Sequence, residues 1–176
     1  MYQKTKREEQ WEKVRLLTYK TLTAHLMNIV NEVFVVFSPL VSETPKNHIN
    51  AHRQHLRPSS VTKKIIKTLI AELEKIPKIT QIENSNLMWK LSEEIYWNLE
   101  KVSDILIPRV LQFSENQKII EALTYFEYSR DQFEQSAYLD YYGYQTDVDL
   151  FDMIYFLKRT DELLDVLAQD WEFKIK

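Results

Sequence analysis

The sequence predicts an all-α protein: a helical bundle of four long helices plus one shorter helix, with a long polar connector at about 38–60. Two observations carry that expectation. Gly143 is the one glycine in 176 residues, beside five prolines. Hairpin turns, bulges and phosphate-cradling loops draw on glycine's access to positive φ, so its scarcity argues against sandwiches, barrels and glycine-dependent nucleotide folds. The second observation is that apolar residues recur at three- and four-residue spacing over long runs, as they do when a helix buries one stripe. The length suits a single domain over 1–176.

The first helix is expected from about Lys6 to Phe37, with Trp11, Val14, Leu22, Leu26, Ile29, Val33 and Val36 inward and Pro39 ending it. His25 lies beside that stripe, where a histidine is ordinarily a hydrogen-bonded core residue. Residues 38–60 show no apolar period. Ser59 or Ser60 then caps a helix carrying Val61, Ile65, Ile66, Leu69, Leu73 and Ile76, and Pro77 closes it. A third helix from near Ser85 turns Met88, Leu91, Ile95, Leu99, Val102, Leu106 and Val110 inward. Pro108 sits inside that pattern and predicts a kink or break near Asp104–Pro108, since proline lacks a donor and clashes with the carbonyl four residues earlier.

A fourth helix is expected from Ser114, with Gln117 as the partner in a capping box, and runs through Ile119, Leu123, Phe126, Phe133 and Ala137 to Gly143. Thr146 or Asp147 caps the last helix, which reaches about Phe173. Leu150, Ile154, Leu157, Asp161, Leu164, Ala168 and Trp171 form one stripe of coiled-coil spacing, and Met153, Phe156, Thr160, Leu163 and Leu167 form a second beside it. Two adjoining stripes imply a wide buried arc and a central place in the bundle.

Candidate site residues fall into four groups. His48, His52 and His55 would share one face if their segment were helical, within reach of a metal ion, but no acid or cysteine stands at a supporting spacing. A polar connector with some anion contact is the preferred reading. From Thr44 to Ala71 there is no Asp or Glu, while Lys46, Arg53, Arg57, Lys63, Lys64 and Lys67 supply six positive charges. Residues 115–176 instead carry fourteen acidic residues against six basic. Arg53, Arg57, Lys63, Lys64 and Lys67 therefore fit an anion, a membrane surface or an acidic partner. The partner could be this chain's own acidic face or that of a twin. Nucleic acid is disfavoured by the overall charge of −3.

Arg130 and Asp161 each interrupt an apolar stripe at similar distances from the turn at Gly143, so they are expected to meet, or to meet another buried polar group such as His25. Aromatic side chains make the fourth group. Trp89, Tyr96 and Trp97 lie with Glu93 and Glu100 on a face away from Leu91, Ile95 and Leu99, and Tyr141, Tyr142 and Tyr144 end a Tyr- and Phe-rich run beginning at Tyr125. A small core cannot satisfy that many tyrosine hydroxyls, so part of the run is expected at a contact surface.

No Glu-x-x-His, His-Glu-x-x-His, phosphate-loop or Gly-x-Ser-x-Gly pattern is present, and no arginine has a histidine at the spacing of small helical ribonucleases. No cysteine is available for thiolate chemistry. The function expected is a non-catalytic interaction or regulatory module, needing no cofactor and binding a protein partner or a second copy of itself. Two alternatives belong to other classes: a ligand-binding or catalytic bundle with a pocket at His25, Arg130 and Asp161, or a surface binder of anionic membranes or nucleic acid. A cytoplasmic setting is expected, with any membrane association made through a part outside this chain.

Overall fold

The computed structural model describes residues 2–37, 60–77, 79–81, 93, 96–138 and 147–174. Helices carry the fold, as the all-α expectation requires. Helix α1 spans Tyr2–Phe37 and α2 spans Ser60–Leu73. Residues 96–101 are helical and lead into a π-helical turn at Val102–Leu106, followed by α3 at Ile107–Phe113. Helix α4 spans Gln117–Tyr138 and α5 spans Leu150–Lys174. A short antiparallel ribbon, β1 (Ile79–Gln81) with β2 (Asp147–Asp149), places Thr80 opposite Val148. No helix among the described residues is long and apolar enough to cross a membrane.

The π turn is the form taken by the break expected at Pro108. Proline has no N–H to offer the carbonyl of Asp104, and its ring would crowd that carbonyl in a regular α-helix. The amide of Ile107 reaches back to the carbonyl of Val102, a five-residue span. One turn is widened, and the backbone stays in the right-handed region on both sides: φ is −63° at Lys101 and −61° at Ile107.

The chain leaves α3 at Ser114, whose φ of −97° and ψ of 121° are extended. The cap of α4 is Asn116, not Ser114. Its Oδ1 accepts from the amide of Lys118 at 3.1 Å, and its carbonyl accepts from Ile119 and Ile120. Gln117 bonds forward to Glu121 at 3.3 Å and does not complete a capping box. At the other turn, 147–149 belong to the ribbon, so α5 starts at Leu150, later than the expected cap at Thr146 or Asp147. Ribbons of three residues are too short for a period of two to register in a sequence.

Helix α5 is the central element. It packs on α4, α2 and α1. Both of its predicted stripes are buried, with Leu150, Leu157 and Leu164 on one and Met153, Phe156, Leu163 and Leu167 on the other. Phe156 stacks on Phe133 at 5.1 Å and meets Phe126 at 5.5 Å. Helices α4 and α5 run antiparallel, since Asn116 reaches Asp170 while Tyr125 reaches Arg159.

Helix α1 departs from expectation at its start. Leu22, Leu26, Ile29 and Val33 are buried as predicted, but Trp11 and Val14 are exposed and Leu17 is 64% exposed. The core takes Arg15, Thr18 and Tyr19 instead. The reason is helical phase: Arg15, Tyr19, Leu22, Leu26, Ile29 and Val33 follow alternating four- and three-residue spacing on the buried face, and Val14 and Leu17 fall outside it, while Trp11 meets the ring of Phe113 at 5.3 Å.

Candidate functional site

Two side-chain assemblies stand out, one on the surface and one inside. The surface assembly lies across α4 and α5. Glu121, Tyr125, Tyr128 and Gln132 follow three- and four-residue spacing on α4, so they share a face. Phe151, Tyr155, Arg159 and Glu162 do the same on α5. Because the helices are antiparallel, the two rows lie side by side. Tyr125 is 51% exposed, Tyr128 57% and Phe151 60%.

Arg159 binds the rows together. Its guanidinium carbon lies 5.0 Å from the ring centres of both Tyr125 and Tyr155, and its Nη1 donates to Glu162 Oε2 at 2.6 Å. The bonds to Glu162 and then to Tyr155 hold its pKa above the ordinary arginine value. Gln132 Nε2 donates to Tyr128 Oη at 3.0 Å. The result is a fixed aromatic face with one cation already seated on it.

The interior assembly joins both ends of the described chain. Tyr19 Oη donates to Asp170 Oδ2 at 2.9 Å, and Asn116 Nδ2 donates to Asp170 Oδ1 at 3.2 Å. Arg15 Nη1 lies 3.9 Å from the same carboxylate, and Arg15 also pairs with Glu12. Burial, then the Asp170 charge and hydrogen bond, push the Tyr19 hydroxyl well above its usual pKa. Tyr19 is thereby kept as a protonated donor, the opposite of what a tyrosine nucleophile or base requires. This cluster fixes the seating of α1, the 114–116 corner and α5.

The residues singled out from sequence are distributed as follows. His25 is half-buried, and its Nδ1 lies 2.8 Å from Asn98 Oδ1 on the neighbouring helix. Asp161 is buried at 8% exposure. Arg130 bonds Asp131 at 2.6 Å and lies 3.5 Å from Glu127, both on its own helix. Tyr96 and Trp97 are exposed and meet edge to face at 5.6 Å, with Glu93 and Glu100 exposed beside them. Lys67 is exposed on α2.

His48, His52, His55, Arg53, Arg57, Trp89, Tyr141, Tyr142 and Tyr144 lie outside the described residues, as do the side chains of Lys63 and Lys64. Among the described residues no group of three or more histidine, aspartate or glutamate side chains is placed to hold a metal ion.

Sequence reasoning located the aromatic run but not its exposed members. Tyr125, Tyr128 and Phe151 were legible as outward-facing, because each falls between the apolar positions of its helix. Arg15, Tyr19 and Asp170 carried no such signal. Comparisons with protein-family models, curated proteins and solved structures give no match for this chain.

Proposed function

We propose that the protein is a non-catalytic helical interaction module, and that its docking surface is the aromatic face of α4 and α5. One observation carries this reading: Tyr125, Tyr128 and Phe151 are each more than half exposed along one two-helix face. Aromatic rings left in water at that density are unusual for an idle surface and typical of contact centres, where tyrosine and arginine contribute most of the binding energy. Arg159 already ties Tyr125 to Tyr155, and Gln132 bonds the Tyr128 hydroxyl, which reduces the side-chain ordering left to be done on binding. Tyr96 and Trp97 form a second, smaller patch of the same chemistry.

The test is capture of a partner from source lysate by the immobilised chain and by the Tyr125→Ala/Tyr128→Ala/Phe151→Ala variant. The expected result is a specific partner retained by the wild type and lost by the variant, with unchanged helicity and melting temperature. A partner held equally by both would move the docking surface elsewhere.

A further inference from the structure

We infer that the α4–α5 face is built to receive the acid-free basic segment, residues 46–67, of a second copy of this chain. The inference rests on the reading of that face as a docking surface and goes on to name its occupant.

The face already holds a cation. Arg159 lies 5.0 Å from two tyrosine rings and is tied at its far side to Glu162, which shows what this surface accommodates: a guanidinium or ammonium group between aromatic faces, with a carboxylate at the edge. Beyond Arg159 the same rows continue with Tyr128 and Phe151, each more exposed than Tyr125. They offer further ring faces of the kind Arg159 uses. Glu121 stands exposed on α4 with only the neutral Gln117 amide bonded to it, and Asp131 and Glu162, exposed on the same two helices, carry Arg130 and Arg159 already and mark where carboxylates meet cations on this surface.

The chain is also complementary in charge to itself. Residues 44–71 hold six positive charges and no acid, and 115–176 hold fourteen acidic residues against six basic. One copy thus carries both halves of an attractive pair. Two copies related by a twofold axis can make the contact twice, basic segment on aromatic–acidic face in each direction, which closes the assembly. Lys67, exposed on α2, places part of the basic segment on the surface where a twin can reach it.

Sedimentation velocity of the full chain, from low to high micromolar concentration, tests the inference at roughly 50 and 500 mM salt. The expected result is a dimer at low salt that weakens at least about tenfold at high salt. The Tyr128→Ala/Phe151→Ala variant should weaken it at least about tenfold at either salt. Charge reversal supplies the specific arm. Lys63→Glu/Lys64→Glu/Lys67→Glu should dissociate the dimer, as should Glu121→Lys/Glu162→Lys, and an equimolar mixture of the two variants should restore association, with the native charges in one contact and the swapped charges in the other. Circular dichroism of each variant should match the wild type.

A chain that stays monomeric at every concentration, or a dimer indifferent to the aromatic and charge variants, overturns the inference. A monomer that still captures a different protein through Tyr128 and Phe151 overturns the twin as occupant while leaving the docking surface standing.

Discussion

Tyr19 and Asp170 lie 151 positions apart in the chain and share a hydrogen bond of 2.9 Å. The bond runs from the first helix to the last, and Asn116 bonds the other carboxylate oxygen from the corner before α4. Removing the hydroxyl with Tyr19→Phe leaves Asp170 its Asn116 bond and should cost about 1–2 kcal/mol. Asp170→Ala should cost more, about 2–4 kcal/mol, because it removes the acceptor of the buried Tyr19 hydroxyl, the partner of Asn116 and the carboxylate beside Arg15 at once. Urea unfolding followed by circular dichroism measures both. Equal losses would mean that the tyrosine bond carries the whole effect.

The same bond sets an alkaline pH dependence. Tyr19 holds its proton above the ordinary tyrosine value of about 10, chiefly through burial and then through Asp170. The unfolded chain releases that proton first, so above about pH 10 it binds fewer protons than the folded state. The contribution of Tyr19 is therefore full below about pH 10 and is lost as pH rises towards the folded value. Unfolding midpoints taken between about pH 9 and 11 should fall with pH in the wild type, and less steeply in Tyr19→Phe. Parallel slopes would place the alkaline loss on other groups.

Phe156 and Tyr128 should separate stability from binding. Phe156 is fully buried between Phe126 and Phe133, and Phe156→Ala should cost about 3–5 kcal/mol through the cavity it leaves. Tyr128→Ala removes an exposed ring and should change stability by less than about 0.5 kcal/mol. Differential scanning calorimetry gives the comparison. A large loss at Tyr128 would show that its ring is part of the core.

The ion pair from Lys158 to Glu74, at 2.7 Å, links α5 to the end of α2 with both side chains about half exposed. Desolvation is slight there and salt screens the attraction, so Lys158→Ala should cost under about 1 kcal/mol and nothing measurable in high salt. A salt-independent loss would instead implicate the packing of the lysine stem on the helix.

Much of the helical frame was legible in the residue spacing. The double stripe of α5 and the buried Leu22, Leu26, Ile29 and Val33 of α1 each have a local cause in a repeat of apolar positions. Pro108 announced a break, though not that a widened turn would absorb it. Local rules misplaced the cap of α4 because Ser114 and Asn116 are both good caps, and the choice follows from where α3 releases the chain. The aromatic face was half visible: periodicity put Tyr125, Tyr128 and Phe151 outside their stripes without saying that they would gather in one place.

The sequence by itself determined the class of fold and the inward face of most helices, because helix periodicity and proline chemistry act over a few residues. Only the tertiary structure decided which ends of those stripes are covered. Trp11 and Val14 stand in water because the buried face of α1 runs instead through Arg15 and Tyr19 to Leu22, and Arg15 is taken inside by its pairing with Glu12 and the nearby Asp170 carboxylate. Burial is a property of what lies opposite a side chain, and what lies opposite is set by contacts between residues far apart along the chain.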